Sequence, residues 1–430
     1  MAKVFLSFYN AIQDKSNPYA VACFYESFIN GLIKAGNDVL VHLHNYFLGD
    51  DRQLTLELKK QIDEFNPDLA ILFNNSLGGG NIYKVCQCPV LIYEVDSPIY
   101  YQNKEELKRD KDNIFFISCQ EESIEILKSE FGIKDNKIAL ASFFSEITAK
   151  PMEIKHNIVF LGSKFHTNRI YKFIKDDISQ EEKETFASLL SELEEDPFVA
   201  FEILVKKYNI TQKIKKHFDI PYYITALSDR NRIRVLANIA DLGLAIYGNS
   251  GWMNYETNEP YLALSYNPKT LYSLKHNEDL YNSAKIGINI NVIQAVSGFS
   301  WRVCDILASN ACLVSEYKTK LKSLFPKVPI PTFTNAYEAR QTVKDLLANE
   351  NKRLDIVSAA NEAIETGFRL KHTLKVLEEI SGVPLQNSGK GKVKFISQIA
   401  TTRVPLKRKA ILALYNYSKK YLLKRGLIEL

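Results

Sequence analysis

Short apolar runs alternate with helical periodicities along the first 150 residues. KVFLSF (3–8) predicts a strand, and from Tyr19 to Ala35 apolar residues recur at helical spacing until Gly36-Asn37 stops them. DVLVHLH (38–44) is the next expected strand, a charged helix runs through Phe65, and DLAILFN (68–74) follows. PVLIYEV (89–95), NIFFIS (113–118) and KIALASF (137–143) continue the series. Strand, helix, strand in this rhythm predicts a parallel sheet covered on both faces. Ligands of such a sheet sit beyond the carboxyl ends of its strands. That edge carries Tyr9-Asn10, His44-Asn45, Asn74 to Gly80, Asp96 to Pro98 and Cys119-Gln120.

A second α/β unit opens at NIVFLGS (157–163) and resumes at DLGLAIYG (241–248). KIGININV (285–292), ACLVSE (311–316) and a helical region near 336–381 complete it. Residues 170–240 carry almost no strand signal; they are Lys/Glu-rich with helical periodicity, as in EEKETFASLLSELEED, and read as a helical insertion. The expectation is a two-lobed α/β protein with a cleft between lobes 1–150 and 151–380, closed by a tail at 381–430. Nothing recurs at a fixed short period, which excludes a solenoid.

Composition narrows the class. With 46% hydrophobic and 24% charged residues, the chain is neither fibrous nor disordered. Six Cys in 430 residues cannot form a disulfide framework and fit reduced thiols in the cytoplasm. No run approaches the ~18 apolar residues of a membrane span. The opening MAKVFLSFYNAIQ is too short in its apolar core for a signal peptide and reads as a first strand. Charge is unevenly spread. From Ser381 to Leu430 eleven Lys/Arg face Glu429 alone, a balance of +10 that leaves −5 on residues 1–380 within the overall +5. After Pro405 the stretch LKRKAILALYNYSKKYLLKRGLIEL predicts a helix with Ile411, Leu414, Tyr415, Tyr421 and Leu422 on an apolar face. Such a basic amphipathic tail either packs back on the first lobe or, through residues 390–425, lies on an anionic membrane. A nucleic-acid role would rest on the tail alone, and no nucleic-acid module is recognisable.

The segment SGFSWRVCDILASNACLVSE (297–316) concentrates the chemistry. Ser297 to Ser300, including Gly298, form a small-residue loop leaving a strand, and Trp301 to Ser309 is expected to be a short helix whose free N–H groups suit a phosphate. Arg302 can clamp a diphosphate, and Asp305, one turn on, can accept two sugar hydroxyls. An ordinary helical ion pair between the two is the alternative. Gly162-Ser163 ends the first strand of the second unit, with Arg169 in reach of a phosphate. Gly248 to Trp252 ends the next strand in a turn that suits close approach to a nucleotide base. Both glycines serve equally as tight strand-to-loop turns. On the first lobe, Asp96 and, second, His44 stand at strand ends where a general base is needed, although an Asp before Ser-Pro is also a common cap.

Five blocks in order, FLGS (160–163), IYGNSGW (246–252), LYNSAKIGININV (280–292), 297–316 and the closing stretch 346–380, resemble the CgeB-like (spore maturation protein type) glycosyltransferases. PDLAILFN (67–74) and YEVDSP (93–98) match more weakly. The resemblance implies a GT-B fold, with an N-terminal Rossmann-like acceptor lobe and a C-terminal nucleotide-sugar donor lobe. It implies transfer of a sugar from a nucleotide-activated donor to a bacterial surface glycan, lipid-linked oligosaccharide or protein. In the wider group two Glu, with seven residues between them, flank this loop and helix. Asp305 falls on the second, which contacts the nucleotide ribose, and Ser297 replaces the first, so that donor-sugar contact is missing. A degenerate binding or scaffold protein is the alternative.

No cofactor or metal is expected beyond the nucleotide-sugar substrate. His42-x-His44 and Cys86-x-Cys88 match no zinc pattern, and Asp110-Lys-Asp112 sits in a charge-rich turn before a strand. Gly78-Gly79-Gly80 lacks both the dinucleotide and the P-loop pattern and reads as a loop near the acceptor.

Overall fold

The computed structural model describes all residues except 11, 13, 15, 16, 18, 45–52, 55, 75–85, 99, 100, 102–104, 106, 109–111, 113, 166–178, 196–203, 205, 210–219, 254–258, 397–401, 404–413, 415, 416 and 419–430. The first lobe is built on β1 (Lys3–Tyr9), β2 (Asp38–His44), β3 (Gln53–Leu54), β4 (Leu69–Phe73), β5 (Val90–Tyr93), β6 (Ile114–Ser118) and β7 (Ile138–Leu140). The second is built on β8 (His156–Leu161), β9 (Leu244–Tyr247), β10 (Tyr266–Asn267), β11 (Ala284–Asn289), β12 (Cys312–Glu316) and β13 (Thr332–Phe333). The chain then adds β14 (Val393–Ile396) and β15 (Thr402–Arg403). Sheet order is β14-β2-β1-β4-β5-β6-β7 in one lobe and β10-β9-β8-β11-β12-β13 in the other, every pairing parallel. β3 and β15 form a separate antiparallel pair.

The near-continuous apolar strands are buried on both faces, as parallel sheets require. Phe5, Leu40, Ala70 and Ile92 fill a core on one side of the first sheet. Ile158, Ile246, Ile286 and Val314 fill one on the far side of the second. A third cluster runs from Val4, Phe28 and Tyr93 through Phe144 to Tyr281, Val303 and Leu313, joining the lobes through one continuous core. Of the helical stretch expected over 170–240, Gln180–Glu195 and Ile220–Ile239 are helices; the second is the crossover between β8 and β9. The closing helical region resolves into Ala336–Ala348, Glu350–Gly367 and Leu370–Ser381.

The last of these helices crosses back to the first lobe. Arg369 donates from Nη1 to the carbonyls of Ser145 (2.7 Å) and Ile147 (2.6 Å). Leu370 packs so closely on the helix Cys23–Lys34 that a Cβ on Gly31 would lie 2.0 Å from its Cδ2. The expected helical tail over 381–430 is corrected at its start. Val393–Ile396 is an edge strand parallel to β2, entered where Gly391 passes 1.7 Å (Cβ position) from the Asn37 carbonyl oxygen, a gap open only to glycine. A four-residue strand inside a basic run leaves too little alternation to read. Most of the helix expected after Pro405 lies outside the described residues; within it, Leu414 and Tyr417 are helical and exposed.

Candidate functional site

The carboxyl ends of the two sheets face each other across a cleft of about 540 Å³. Its first-lobe wall carries Tyr9, Tyr25, Phe73 and Phe143, and Trp301 closes it from the second lobe. The Trp301 ring stacks on Phe24 at 5.0 Å and 6°.

On the first-lobe side, β4 ends at Asn74, whose φ of 57° is a left-handed conformation that Asn tolerates better than most residues. The turn aims its amide at the end of β5. Asn74 Oδ1 accepts from the backbone N–H groups of Val95 (2.6 Å) and Asp96 (2.7 Å), and its Nδ2 donates to Asp96 Oδ2 at 2.7 Å. The other carboxylate oxygen, Oδ1, accepts from Gln294 Nε2 of the second lobe, also at 2.7 Å. Asp96 lies open to the cleft but walled by protein. That enclosure raises its pKa, and the Gln294 and Asn74 amides pull it back by favouring the anion.

Two residues earlier stands a second carboxyl that sequence reasoning passed over. Glu94 is 3% exposed, lines the cleft and accepts from the Tyr101 hydroxyl at 3.0 Å. The Ser118 hydroxyl, which donates to the Gln120 carbonyl at 3.1 Å, lies beside the carboxyl and, with Tyr101, favours its anion. Burial pushes Glu94 up to about 8, so it is largely uncharged at neutral pH. His44, buried at the end of β2, lines the same cleft. Three strand spacings separate β2 from β5, roughly 14 Å, so it cannot share a proton with Asp96 directly.

On the second-lobe side, Asn289 at the end of β11 organises the loop expected to hold phosphate. Its Oδ1 accepts from Ser300 Oγ (2.9 Å) and Arg302 Nη1 (3.1 Å), while the Ser300 N–H donates to Asn291 Oδ1 (3.1 Å). Gly298, Ser300 and Arg302 line the cleft. The helix that follows, Arg302–Leu307, is only six residues long, so the charge available to an anion is the guanidinium rather than a helix terminus. Among the described residues Arg302 and Asp305 make no direct ion pair, although each favours the charged form of the other. Asp305, expected to reach a ribose, does not line the cleft. It is 4% exposed in the seam between lobes, where Oδ1 accepts from Ser145 Oγ at 2.7 Å and burial pushes its pKa up to about 7.

Behind Arg302 lie the two glycine turns. A Cβ on Gly162 would strike the Phe160 ring at 2.8 Å and come within 3.2 Å of Arg302 Nη2; one on Gly248 would sit 2.3 Å from the Gly162 carbonyl oxygen. Both turns therefore need glycine for packing. Trp252 does not line the cleft; it is 2% exposed and its indole N–H donates to the Gly162 carbonyl at 2.8 Å. It braces the glycine turn from behind. Ser163 is exposed, and its carbonyl accepts from Nη1 of Arg232 at 2.6 Å. Arg232 is the second omission. It is 3% exposed, its guanidinium lies 4.5 Å from the Phe165 ring centroid, and with Arg302 it flanks Phe160, each at 5.4 Å. Burial and then repulsion from Arg302 lower its pKa to about 9. Arg169 lies outside the described residues.

Residues 230–379 match the family model described as glycosyl transferase-like. No curated protein matches the chain. Among solved structures, sucrose-phosphate synthase from Thermosynechococcus elongatus is similar at 10% identity and TM-score 0.52, covering 88% of this chain and 98% of that one. T4 phage β-glucosyltransferase with UDP-glucose aligns at 12% identity over 89% and 100%, TM-score 0.49. A trehalose-6-phosphate synthase aligns at 10% identity over 89% and 99%, also with TM-score 0.49. Two parallel-sheet lobes facing each other across this cleft, with a glycosyl transferase-like segment at 230–379, make the protein one of GT-B fold.

Proposed function

We propose that the protein is a glycosyltransferase that moves a sugar from a nucleotide-activated donor to a hydroxyl acceptor. The observation that carries this reading is the opposition, across one cleft, of Arg302 on the second lobe and Asp96 on the first. Asp96 accepts the proton of the acceptor hydroxyl as its oxygen attacks the anomeric carbon. The bond from that carbon to the diphosphate oxygen breaks, and the charge left on the nucleoside diphosphate falls to Arg302, with Arg232 behind it. Two amides that favour the Asp96 anion support it over His44 as the base. Within this reading the chain is a CgeB-like enzyme acting on a surface glycan, a lipid-linked oligosaccharide or a protein. It needs no metal, so activity survives chelation by EDTA. The tail brings it to the inner face of an anionic membrane.

Isothermal titration with a panel of nucleoside diphosphates tests the core of the proposal. Arg302→Ala removes a charge-assisted contact worth ~1.5–3 kcal/mol and weakens binding roughly 10- to 100-fold. If the folded parent protein binds none of them, the enzyme reading fails. If it binds one but turns over no donor, the degenerate binding protein takes its place.

A further inference from the structure

One loop, residues 289–302, carries the donor-side Arg302 at one end and reaches across the cleft with Gln294 near its middle. The Gln294 side chain is 9% exposed and makes two hydrogen bonds to adjacent residues of the first lobe. Its Nε2 donates to Asp96 Oδ1 at 2.7 Å, and its Oε1 accepts from the Ser97 backbone N–H at 3.0 Å. Its own carbonyl accepts from Gln120 Nε2 at 3.2 Å, so the loop backbone is fixed to the first lobe as well. Gly298 continues the docking: a Cβ there would lie 3.1 Å from Gln120 Cβ. Ser297 Oγ donates to Glu122 Oε2 at 2.5 Å, and Lys320 pairs with Glu121 beside it.

We propose that Gln294 is a positioning residue that clasps Asp96 across the cleft, so that closure of the lobes and readiness of the Asp96 carboxylate are a single event. The role of Asp96 as base rests on the function proposed above; the clasp itself does not. A lone first lobe offers Asp96 one amide, from Asn74; only the closed protein supplies the second. The carboxylate is left with lone pairs for an acceptor hydroxyl, since two oxygens offer about four sites and the amides take two. Opening the lobes removes that second amide and with it the fixed orientation of the carboxylate, which is then held by Asn74 alone. Donor engaged by Arg302 steadies the loop that holds the clasp, and thereby readies a base on the opposite lobe. Among the described residues, the titratable groups around Asp96 are Tyr25 from the helix Cys23–Lys34, Tyr101 following β5, and Glu94 two residues before it. None is cationic, so the amides carry the stabilisation of the anion.

The test needs no substrate. The full chain is labelled with [γ-13C]Asp, and the Asp96 resonance is identified by its loss in Asp96→Asn. Its titration and the radius of gyration from small-angle scattering are then measured for parent, Gln294→Ala and Gln294→Glu. Gln294→Ala is expected to increase the radius and, because the opened cleft hydrates a carboxyl that enclosure holds high, to lower the Asp96 midpoint toward its ordinary value; Gln294→Glu increases the radius more strongly above pH 6. Lys320→Ala, which removes a cross-lobe contact away from Asp96, leaves the midpoint in place. Gln294→Ala with either the midpoint or the radius unchanged overturns the proposal, because the two would then be separable. These readouts stand whether or not a nucleotide binds, so failure of the clasp and failure of the proposed reaction are told apart.

Discussion

Replacing Glu94 by glutamine keeps the size and shape of the side chain and removes its ability to ionise. In the folded protein burial raises this carboxyl from its ordinary 4.5 to about 8. Below pH 4.5 both folded and unfolded chains hold the proton, and the group costs nothing. Between 4.5 and about 8 the unfolded chain releases the proton while the folded one keeps it, so stability falls as pH rises, by up to 1.36 kcal/mol for each unit. Integrated over that window, the parent loses about 1 kcal/mol by pH 5, about 3 by pH 7 and about 4 by pH 8. The substituted amide has no proton to release. Urea unfolding of parent and Glu94→Gln at pH 5, 7 and 8 isolates the effect, since every other group titrates alike in both. The variant is expected to gain about 3 kcal/mol on the parent between pH 5 and pH 8. Parallel stability curves would mean that Glu94 is ionised in the fold and that the cleft floor is far more polar than its burial implies.

Trp252→Phe keeps a ring in its pocket and deletes the bond to the Gly162 carbonyl; about 1 kcal/mol of stability and a several-fold drop in nucleotide affinity are expected by melting and titration. Asp305→Asn is expected to leave nucleotide binding within about twofold, because Asp305 lies in the seam, and to flatten the loss of stability between pH 4 and 7 that its raised pKa produces; a large drop in affinity would put the side chain back on the nucleotide. The full chain is expected to co-sediment with anionic liposomes in a salt-sensitive manner and a chain ending after Ile396 not to. Equal partitioning would leave the tail without a membrane role.

The strands were legible because buried parallel strands are apolar runs, and the glycine turns because few other residues can end such strands so tightly. The site was only half legible, for reasons particular to its residues. Spacing assigns Arg302 and Asp305 to one helix but does not say that Ser145 waits on the far side to take the carboxylate. Arg232 sits in DRNRIR, a charged run that reads as a solvated face; only packing shows its guanidinium turned in against Phe160 and Phe165. Trp252 in a glycine turn suggests a ring for a nucleotide base, and its N–H proves to be the working part. Glu94 and Asn74 are ordinary letters at strand ends. What sets them apart is a left-handed turn at Asn74 and the burial of a carboxyl at Glu94, and neither leaves a trace in periodicity. Gln294 acts from the other lobe, 198 residues away along the chain.

The edge strand Val393–Ile396 has a consequence for how the molecule is made. The first lobe precedes the second along the chain, yet β2 waits at its margin for a partner more than 340 residues downstream. The second lobe, whose last strand ends at Phe333, has all its sheet partners earlier. Synthesis therefore completes the lobes in reverse: the one started first is finished last, and until then it presents an unpaired strand margin of the kind that invites association with other chains. Arrested or prematurely terminated chains would carry that margin permanently. A stop codon near residue 385 should thus be more damaging to solubility than its distance from the cleft suggests, while one after Ile396 should be tolerated.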